Sequence, residues 1–382
     1  MIDALALAQD LIRRPSVTPA DAGAMAVLES ALGSLGFRCR RLSFEGIENL
    51  YARRGDRGPN LCFAGHTDVV PPGDESAWTH TPFSGTVADG VVHGRGAVDM
   101  KGAIAAFVAA CSRVRHADHA SVSLLITGDE EGEAVNGTRR VLEALAADGE
   151  RIDHCIVGEP TSASIPGDTI KVGRRGSLNA TVCVTGVQGH VAYPERAANP
   201  VPALLRVLGR LEGRRLDEGY PEFPPSNLEI TDLEVGNPVF NLIPARAKAR
   251  LNIRFNPAHR GGDLEDWIGS VCRDEAKTFG GDISAAVSIS GEAFLTRKGD
   301  LTDIVQCAVK SVIGREAELS TSGGTSDARF ISAYAPVVEL GLCGATMHKV
   351  DEGAPVSDLN TLTDIYARIL ASYPSVSSEN HA

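Results

Sequence analysis

Leu61-Cys62-Phe63-Ala64-Gly65-His66-Thr67-Asp68 passes from an apolar run, through glycine, to an imidazole and a carboxylate within a few residues. Two later stretches repeat the pattern. Val122 to Ile126 runs into Thr127-Gly128-Asp129-Glu130-Glu131, and Cys155-Ile156-Val157 runs into Gly158-Glu159-Pro160. Short apolar runs that end in this way are what a parallel sheet presents at its carboxyl edge, where open α/β folds place their sites. With Asp99 and His348, these segments offer two imidazoles and three carboxylates. One catalytic zinc usually takes three protein ligands plus water, so the set is too large for a single ion; it suits two metals sharing a bridging carboxylate. The expectation is a two-metal hydrolase on an α/β fold, with a mixed, mostly parallel sheet flanked by helices.

At 382 residues the chain exceeds the size at which single cores usually stop growing, so two domains are expected. Hydrophobic residues make up 43% and charged residues 23%, which excludes a disordered chain. The net charge of −12 argues against a nucleic-acid surface, because phosphate binding needs a basic face. An anionic substrate must therefore be drawn by local arginines and metal. The eight cysteines form no C-x-x-C pair and mostly sit in apolar stretches, so they read as small buried hydrophobes in a reducing, cytoplasmic compartment. Asp3 precedes Arg13 and Arg14, the reverse of a secretory signal, and no apolar run approaches the length of a membrane span.

Up to about residue 175, strand-like runs alternate with helix-like stretches, among them Ala103–Cys111, apolar all round as a buried helix would be, and Thr138–Ala147. The character changes at Gly173-Arg174-Arg175-Gly176. Beyond it the pattern reads as a strand (Leu178–Thr185), a helix opened by proline (Val201–Leu211), strands near Asn227–Val235 and Ala247–Phe255, a second helix and a strand (Ile283–Ser290). Leu264, Trp267, Ile268, Val271 and Cys272 give the second helix its apolar face. That order, β-α-β-β-α-β, matches a ferredoxin-like α+β insert over 177–290. A helix (Leu301–Ile313), a strand (Pro336–Leu340) and a final helix (Leu359–Ala371) resume the α/β character, and the tail Ser372–Ala382 reads as frayed. His348 lies in this last part, so the metal-binding domain, 1–176 and 291–382, is expected to be discontinuous.

Each candidate has an ordinary alternative. His66 and Asp68 fall on one face of an extended chain, which lets Asp68 hold the second ring nitrogen of His66, but a polar turn after a strand has the same letters. Asp99 precedes a helix and reads equally as an N-cap. Glu130-Glu131 puts two carboxylates side by side at a strand end, where one can ligate a cation while the other takes a proton; the alternative is a solvated acidic turn. Glu159 before Pro160 would also blunt a strand edge. A lone histidine such as His348 is often a surface hydrogen-bonding group. The ensemble is what points to metal. Its nitrogen and oxygen donors without thiolate suit zinc, with cobalt or manganese able to substitute. No G-x-S-x-G elbow is present, and Gly94 to Gly102 lacks the G-K-[ST] ending of a phosphate loop.

Gly65-His66-Thr67-Asp68-Val69-Val70-Pro71-Pro72-Gly73-Asp74, Gly94-Arg95-Gly96-Ala97-Val98-Asp99-Met100-Lys101-Gly102, Glu130-Glu131 and Gly158-Glu159-Pro160-Thr161 resemble the co-catalytic zinc aminoacylase and carboxypeptidase clan. Gly173 to Ser177, Gly189 to Pro194, Gly323 to Asp327 and His348 to Glu352 narrow the resemblance to its branch that removes succinate from N-succinyl-LL-2,6-diaminopimelate. The resemblance implies a cytoplasmic homodimer, joined through the insert, that acts in lysine and peptidoglycan precursor synthesis. It implies Asp99 as the ligand bridging two zinc ions, His66 and Glu159 completing one metal, and Glu131 and His348 the other. It further implies Glu130 as general base, Asp68 as the residue orienting His66, and His190 as an oxyanion donor reaching the neighbouring subunit's site. Arg174, Ser177, Tyr193, Asn241, Arg254, Gly324 and Thr325 would hold the substrate. The sequence departs from that pattern at Ala328, where glycine is usual, and at Phe240, where a polar residue is common. Acetylornithine deacetylation, dipeptide cleavage and a non-catalytic binding role are the competing expectations.

Overall fold

The computed structural model describes residues 1–114 and 120–373. It contains two compact units, one made of Met1–Val172, Thr296–Ser320 and the chain from Ser326 on, the other of Gly173–Leu295 and Thr321–Thr325.

In the first unit an eight-stranded sheet runs Arg38–Phe44, Ile47–Arg54, Ser121–Thr127, Asn60–His66, His154–Val157, Val337–Glu339, Thr169–Lys171 and Glu318–Ser320. Its central neighbours are parallel, with His66 opposite Thr127 and Ala64 opposite Val157. Antiparallel pairing is confined to the first three strands and to one bridge between Glu339 and Lys171. Asn60–His66 and Ser121–Thr127 are buried at every residue, which is why neither shows hydrophobic alternation. The edge strand Arg38–Phe44 is largely exposed.

Gly102–Arg113 is buried from Gly102 to Cys111, because it packs between Ala4–Ile12 and Val356–Ser372, and the latter in turn meets Asp300–Ile313. Ala24–Ser34 and Thr138–Ala147 cover the strand Ile47–Arg54. Phe63 stacks on Phe107 at 4.3 Å between ring centroids and meets Tyr366 edge-on at 5.6 Å, tying the central strand to two helices. The final helix begins at Val356, ahead of the Leu359 expected from periodicity, and the tail from residue 374 lies outside the described residues.

The second unit holds a four-stranded antiparallel sheet in the order Asn227–Glu234, Arg246–Phe255, Gly176–Thr185, Asp282–Gly291, crossed by Pro200–Glu212 and Gly261–Ala276. Leu178, Ala180, Val182 and Val184 alternate inward with Ala247, Ala249, Leu251 and Ile253, and the helices cover that face with residues such as Leu204, Val207, Leu264 and Ile268. Asn199 caps the first helix through the Val201 N–H, one residue ahead of Pro200. Trp267 is only partly buried; the Arg214 guanidinium lies 4.6 Å over its ring.

The units divide at Gly173 and Leu295, outside the expected limits of 177 and 290, because Gly173-Arg174 pairs with Phe294-Leu295 as a short ribbon. Thr321–Thr325 also groups with the second unit, held by the Thr321 hydroxyl on the Glu222 carbonyl and by Arg174 on the Ser322 carbonyl. All eight cysteines are free; Cys62, Cys111, Cys155 and Cys272 are buried as expected, whereas Cys39 and Cys307 are exposed and depart from that reading. Among the described residues no helix is long and apolar enough to cross a membrane.

Phe63→Ala removes a ring that two other aromatic groups pack against, so it is expected to cost about 3–5 kcal/mol in denaturant unfolding with an unchanged m-value.

Candidate metal centre

Three neighbouring parallel strands end at the site, and their spacing of about 4.8 Å sets its scale. His66 closes Asn60–His66; Glu130 and Glu131 follow Ser121–Thr127; Glu159 follows His154–Val157. Asp99 arrives from the turn before Gly102–Arg113. Its backbone is extended (φ −121°, ψ 93°) and it caps no helix; its carboxylate turns instead to the two imidazoles. Oδ1 is 3.1 Å from His66 Nε2 and Oδ2 is 3.1 Å from His348 Nε2. Asp99 therefore stands between the histidines. Glu131 Oε1 lies 2.9 Å from His348 Nε2, and Glu159 Oε1 lies 3.8 Å from His66 Nε2. Ligand-capable atoms of His66, Asp99 and Glu131 lie within 4.8 Å of one another, as do those of His66, Glu130 and Glu159.

Asp68 plays a different part from the one expected of it. The Nδ1 of His66 is 2.9 Å from the main-chain carbonyl of Asp68 and 3.6 Å from its carboxylate, so Nδ1–H donates to the carbonyl and Nε2 is left to accept a ligand. The Asp68 carboxylate accepts instead the N–H groups of Glu130 at 3.3 Å and Glu131 at 3.0 Å. It organises the acidic turn. Burial pushes its pKa up to about 6 against the lowering effect of His66 and these two N–H groups. Asp129, to which no role was given, accepts the N–H groups of Ala134, Val135 and Asn136 and closes the same loop. Its signal in the sequence was a third consecutive acid, which a loop can employ as an internal acceptor.

Burial dominates the electrostatics. It pushes the Glu130 carboxyl up to about 8, only partly offset by His66 and reinforced by Asp327, Glu131 and Asp99. Burial likewise raises Glu159 well above the carboxylate range, with Asp99 and Glu130 adding to it. His348, hydrogen-bonded to Asp99 and Glu131, is pushed up to about 10. Glu159 Oε1 is buried with no hydrogen-bond donor, a costly state for a carboxylate oxygen unless a cation satisfies it. The donor set, carboxylates and imidazole Nε2 atoms converging around Asp99, fits two divalent cations.

The substrate candidates all lie in the second unit and form two groups. His190 and Asn241 meet where Gly189–His190 pairs with Leu242–Ile243 and the Val191 N–H donates to the Asn241 carbonyl; Tyr193 lies 5.9 Å from the His190 ring. Phe240 beside them is fully exposed. In the second group Ser177 pairs in register with Arg254, whose guanidinium donates to the Thr325 hydroxyl at 3.3 Å. Gly323 adopts φ +111°, a conformation that favours glycine, and the Arg174 guanidinium lies against it on the side a Cβ would occupy. Arg175, which the sequence pairs with Arg174 but to which no contact is assigned there, donates to Asn227 and adds its charge to that of Arg254.

The family model described as peptidase family M20/M25/M40 matches residues 62–372, which span every one of these metal-site residues. The chain belongs to that family. It is 62% identical to a succinyl-diaminopimelate desuccinylase of Caulobacter sp. (strain K31), over 97% of this chain and 96% of the relative. In fold it is similar to the M20 family metallo-carboxypeptidase Sso-CP2 of Sulfolobus solfataricus, with a TM-score of 0.78 at 19% identity over 98% of this chain and all of the other. It is also similar to the Bacillus subtilis YXEP protein, described as a dinuclear metal-binding peptidase of the M20 family, with a TM-score of 0.71 at 16% identity over 97% of each chain.

Because the main chain holds the His66 ring, Asp68→Ala is expected to retain metal bound through His66. It should nevertheless lower hydrolytic kcat by about 10–100-fold as the acidic turn loses its acceptor. Metal content by mass spectrometry and kcat on the same preparation check both halves.

Proposed function

We propose that this chain hydrolyses N-succinyl-LL-2,6-diaminopimelate to succinate and LL-2,6-diaminopimelate, a step in lysine and peptidoglycan precursor synthesis. The reaction class rests on one observation, the Asp99 carboxylate set between His66 and His348 with Glu131 and Glu159 flanking it. The substrate rests on the identity, over nearly its whole length, to proteins named for that activity.

In this reading Asp99, His66 and Glu159 hold one divalent cation and Asp99, Glu131 and His348 the other, with zinc as the natural occupant and cobalt or manganese as substitutes. Bound there, the cations supply Lewis acidity that lowers the pKa of water and polarises the amide carbonyl. Glu130 takes the proton of the attacking water and returns it to the leaving amine. The backbone of Glu130 is fixed for that task by the Asp68 carboxylate. His190 donates to the developing oxyanion, supplied by the partner subunit of a homodimer. Arg174 and Arg254, with Ser177, Tyr193, Asn241, Gly324 and Thr325, bind the carboxylates and amino groups of the substrate, where guanidinium forks match carboxylate geometry.

Glu130→Gln keeps the shape of the site and removes the proton acceptor. It is expected to retain its metals while kcat falls by about 10²–10⁴-fold, and unchanged turnover would remove Glu130 from the role. On zinc-reconstituted protein, kcat/KM for succinyl-diaminopimelate is expected to exceed that for acetylornithine and for a dipeptide. A clear preference for either of the latter overturns the substrate.

A further inference from the structure

Arg95 and Glu352 form a buried ion pair that touches no substrate candidate and no metal ligand side chain. The Arg95 Nη1 donates to Glu352 Oε2 at 2.7 Å, and both residues are almost wholly inaccessible. Buried pairs of this kind seldom persist for stability alone, since apolar replacements of equal volume are often as stable. What the pair does here is visible in its remaining hydrogen bonds.

Glu352 Oε1 accepts the N–H of Val98 at 2.9 Å and that of Asp99 at 3.2 Å, so the backbone at Asp99 is held directly. The Gly94 N–H donates to the Glu352 carbonyl at 2.9 Å, binding the same turn from its other end. Arg95 points the opposite way. Its Nη1 donates to the Lys349 carbonyl at 3.2 Å and its Nη2 to the His348 carbonyl at 3.4 Å, while Nη2 also reaches the Pro71 carbonyl downstream of His66. Trp78 covers the guanidinium at 5.1 Å. His348 sits at φ +60°, in the left-handed region that a residue with a side chain occupies only when its surroundings hold it there. The carbonyl leaving that strained residue is one of those Arg95 grips.

We infer that Arg95 and Glu352 are positioning residues for the second cation site: through their two main-chain grips they fix the separation of Asp99 from His348. The other site depends on them less. His66 and Glu159 end neighbouring parallel strands whose ladder sets their spacing independently. His348 has no such strand beneath it and reaches Asp99 from a turn. Loss of the clamp therefore weakens one site selectively.

The inference rests on the two-cation reading above, and zinc titration of the full-length, metal-stripped protein separates the two. Wild type is expected to bind two zinc ions; fewer than two overturns that reading and this inference with it. Arg95→Lys keeps a cation beside Glu352 but lacks the fork that spans the His348 and Lys349 carbonyls. It is expected to bind one zinc as in wild type and the second about 10–100-fold more weakly, the range for outer partners of metal ligands. The double variant R95M/E352Q, which strands no ion and keeps an amide oxygen as acceptor for the Val98 and Asp99 N–H groups, is expected to remain folded with the same selective loss. Unchanged binding of both ions in folded variants overturns the inference. So does equal weakening of both, which would make the pair a general structural element.

Discussion

A single buried carboxylate, Asp99, lies 3.1 Å from each of two imidazoles, and the first unit is arranged to keep it there. Carboxylates crowded at the end of a sheet repel one another, and burial strengthens the repulsion by removing the water that would screen it. Glu130, Glu131 and Glu159 all belong to this crowd; burial raises the pKa values of Glu130 and Glu159, and the neighbouring carboxylates add to the rise. Such a cluster is stable as a receptor for positive charge. Metal uptake and fold stability are consequently linked: cations that bind only the folded chain stabilise it by mass action.

The sheet accounts for half of the site. His66, the Glu130-Glu131 turn and Glu159 follow three strands that are immediate neighbours, although in sequence they are separated by whole helices. These were legible in the sequence because each apolar run stops at glycine and a side chain able to ligate a metal, a pattern that needs no knowledge of neighbours. Asp99 was only half legible. Its place before a helix fits an N-cap equally well, and what decides for the imidazoles is that Lys101 takes the cap position while both Asp99 oxygens lie 3.1 Å from a histidine Nε2. Glu130 and Glu131 are indistinguishable by pattern; the structure separates them through His348, which lies 2.9 Å from Glu131.

What the sequence concealed is mostly main-chain geometry. The Asp68 side chain was expected on the His66 ring, but the carbonyl of the same residue takes that contact and frees the carboxylate for the Glu130 and Glu131 N–H groups. Periodicity carries no signal for a backbone acceptor. The same holds for the unit boundaries, where Gly173-Arg174 pairs with Phe294-Leu295, a two-residue ribbon too short to leave a pattern. Arg95 and Glu352 stand in quoted motifs, yet their letters look like any exposed ion pair; only their burial reveals that they bind turns together.

Packing beneath the clustered imidazoles and carboxylates completes the constraint. Met100 follows Asp99 directly and is fully buried, with its terminal methyl pressed against the backbone at Gly65 and Gly158, the residues that immediately precede His66 and Glu159. A Cβ at Gly65 would lie 2.5 Å from that methyl, and one at Gly158 would lie 2.7 Å from it while also striking the Phe63 ring. The two glycines therefore serve less for turning than for letting a side chain from the Asp99 segment lie flat against the strand ends. One thioether thereby registers His66, Asp99 and Glu159 to one another through ordinary van der Waals contact. The Arg95–Glu352 pair extends that registration from Asp99 to His348. Apolar packing thus sets one side of the site and buried hydrogen bonds the other, and the carboxylate between them belongs to both.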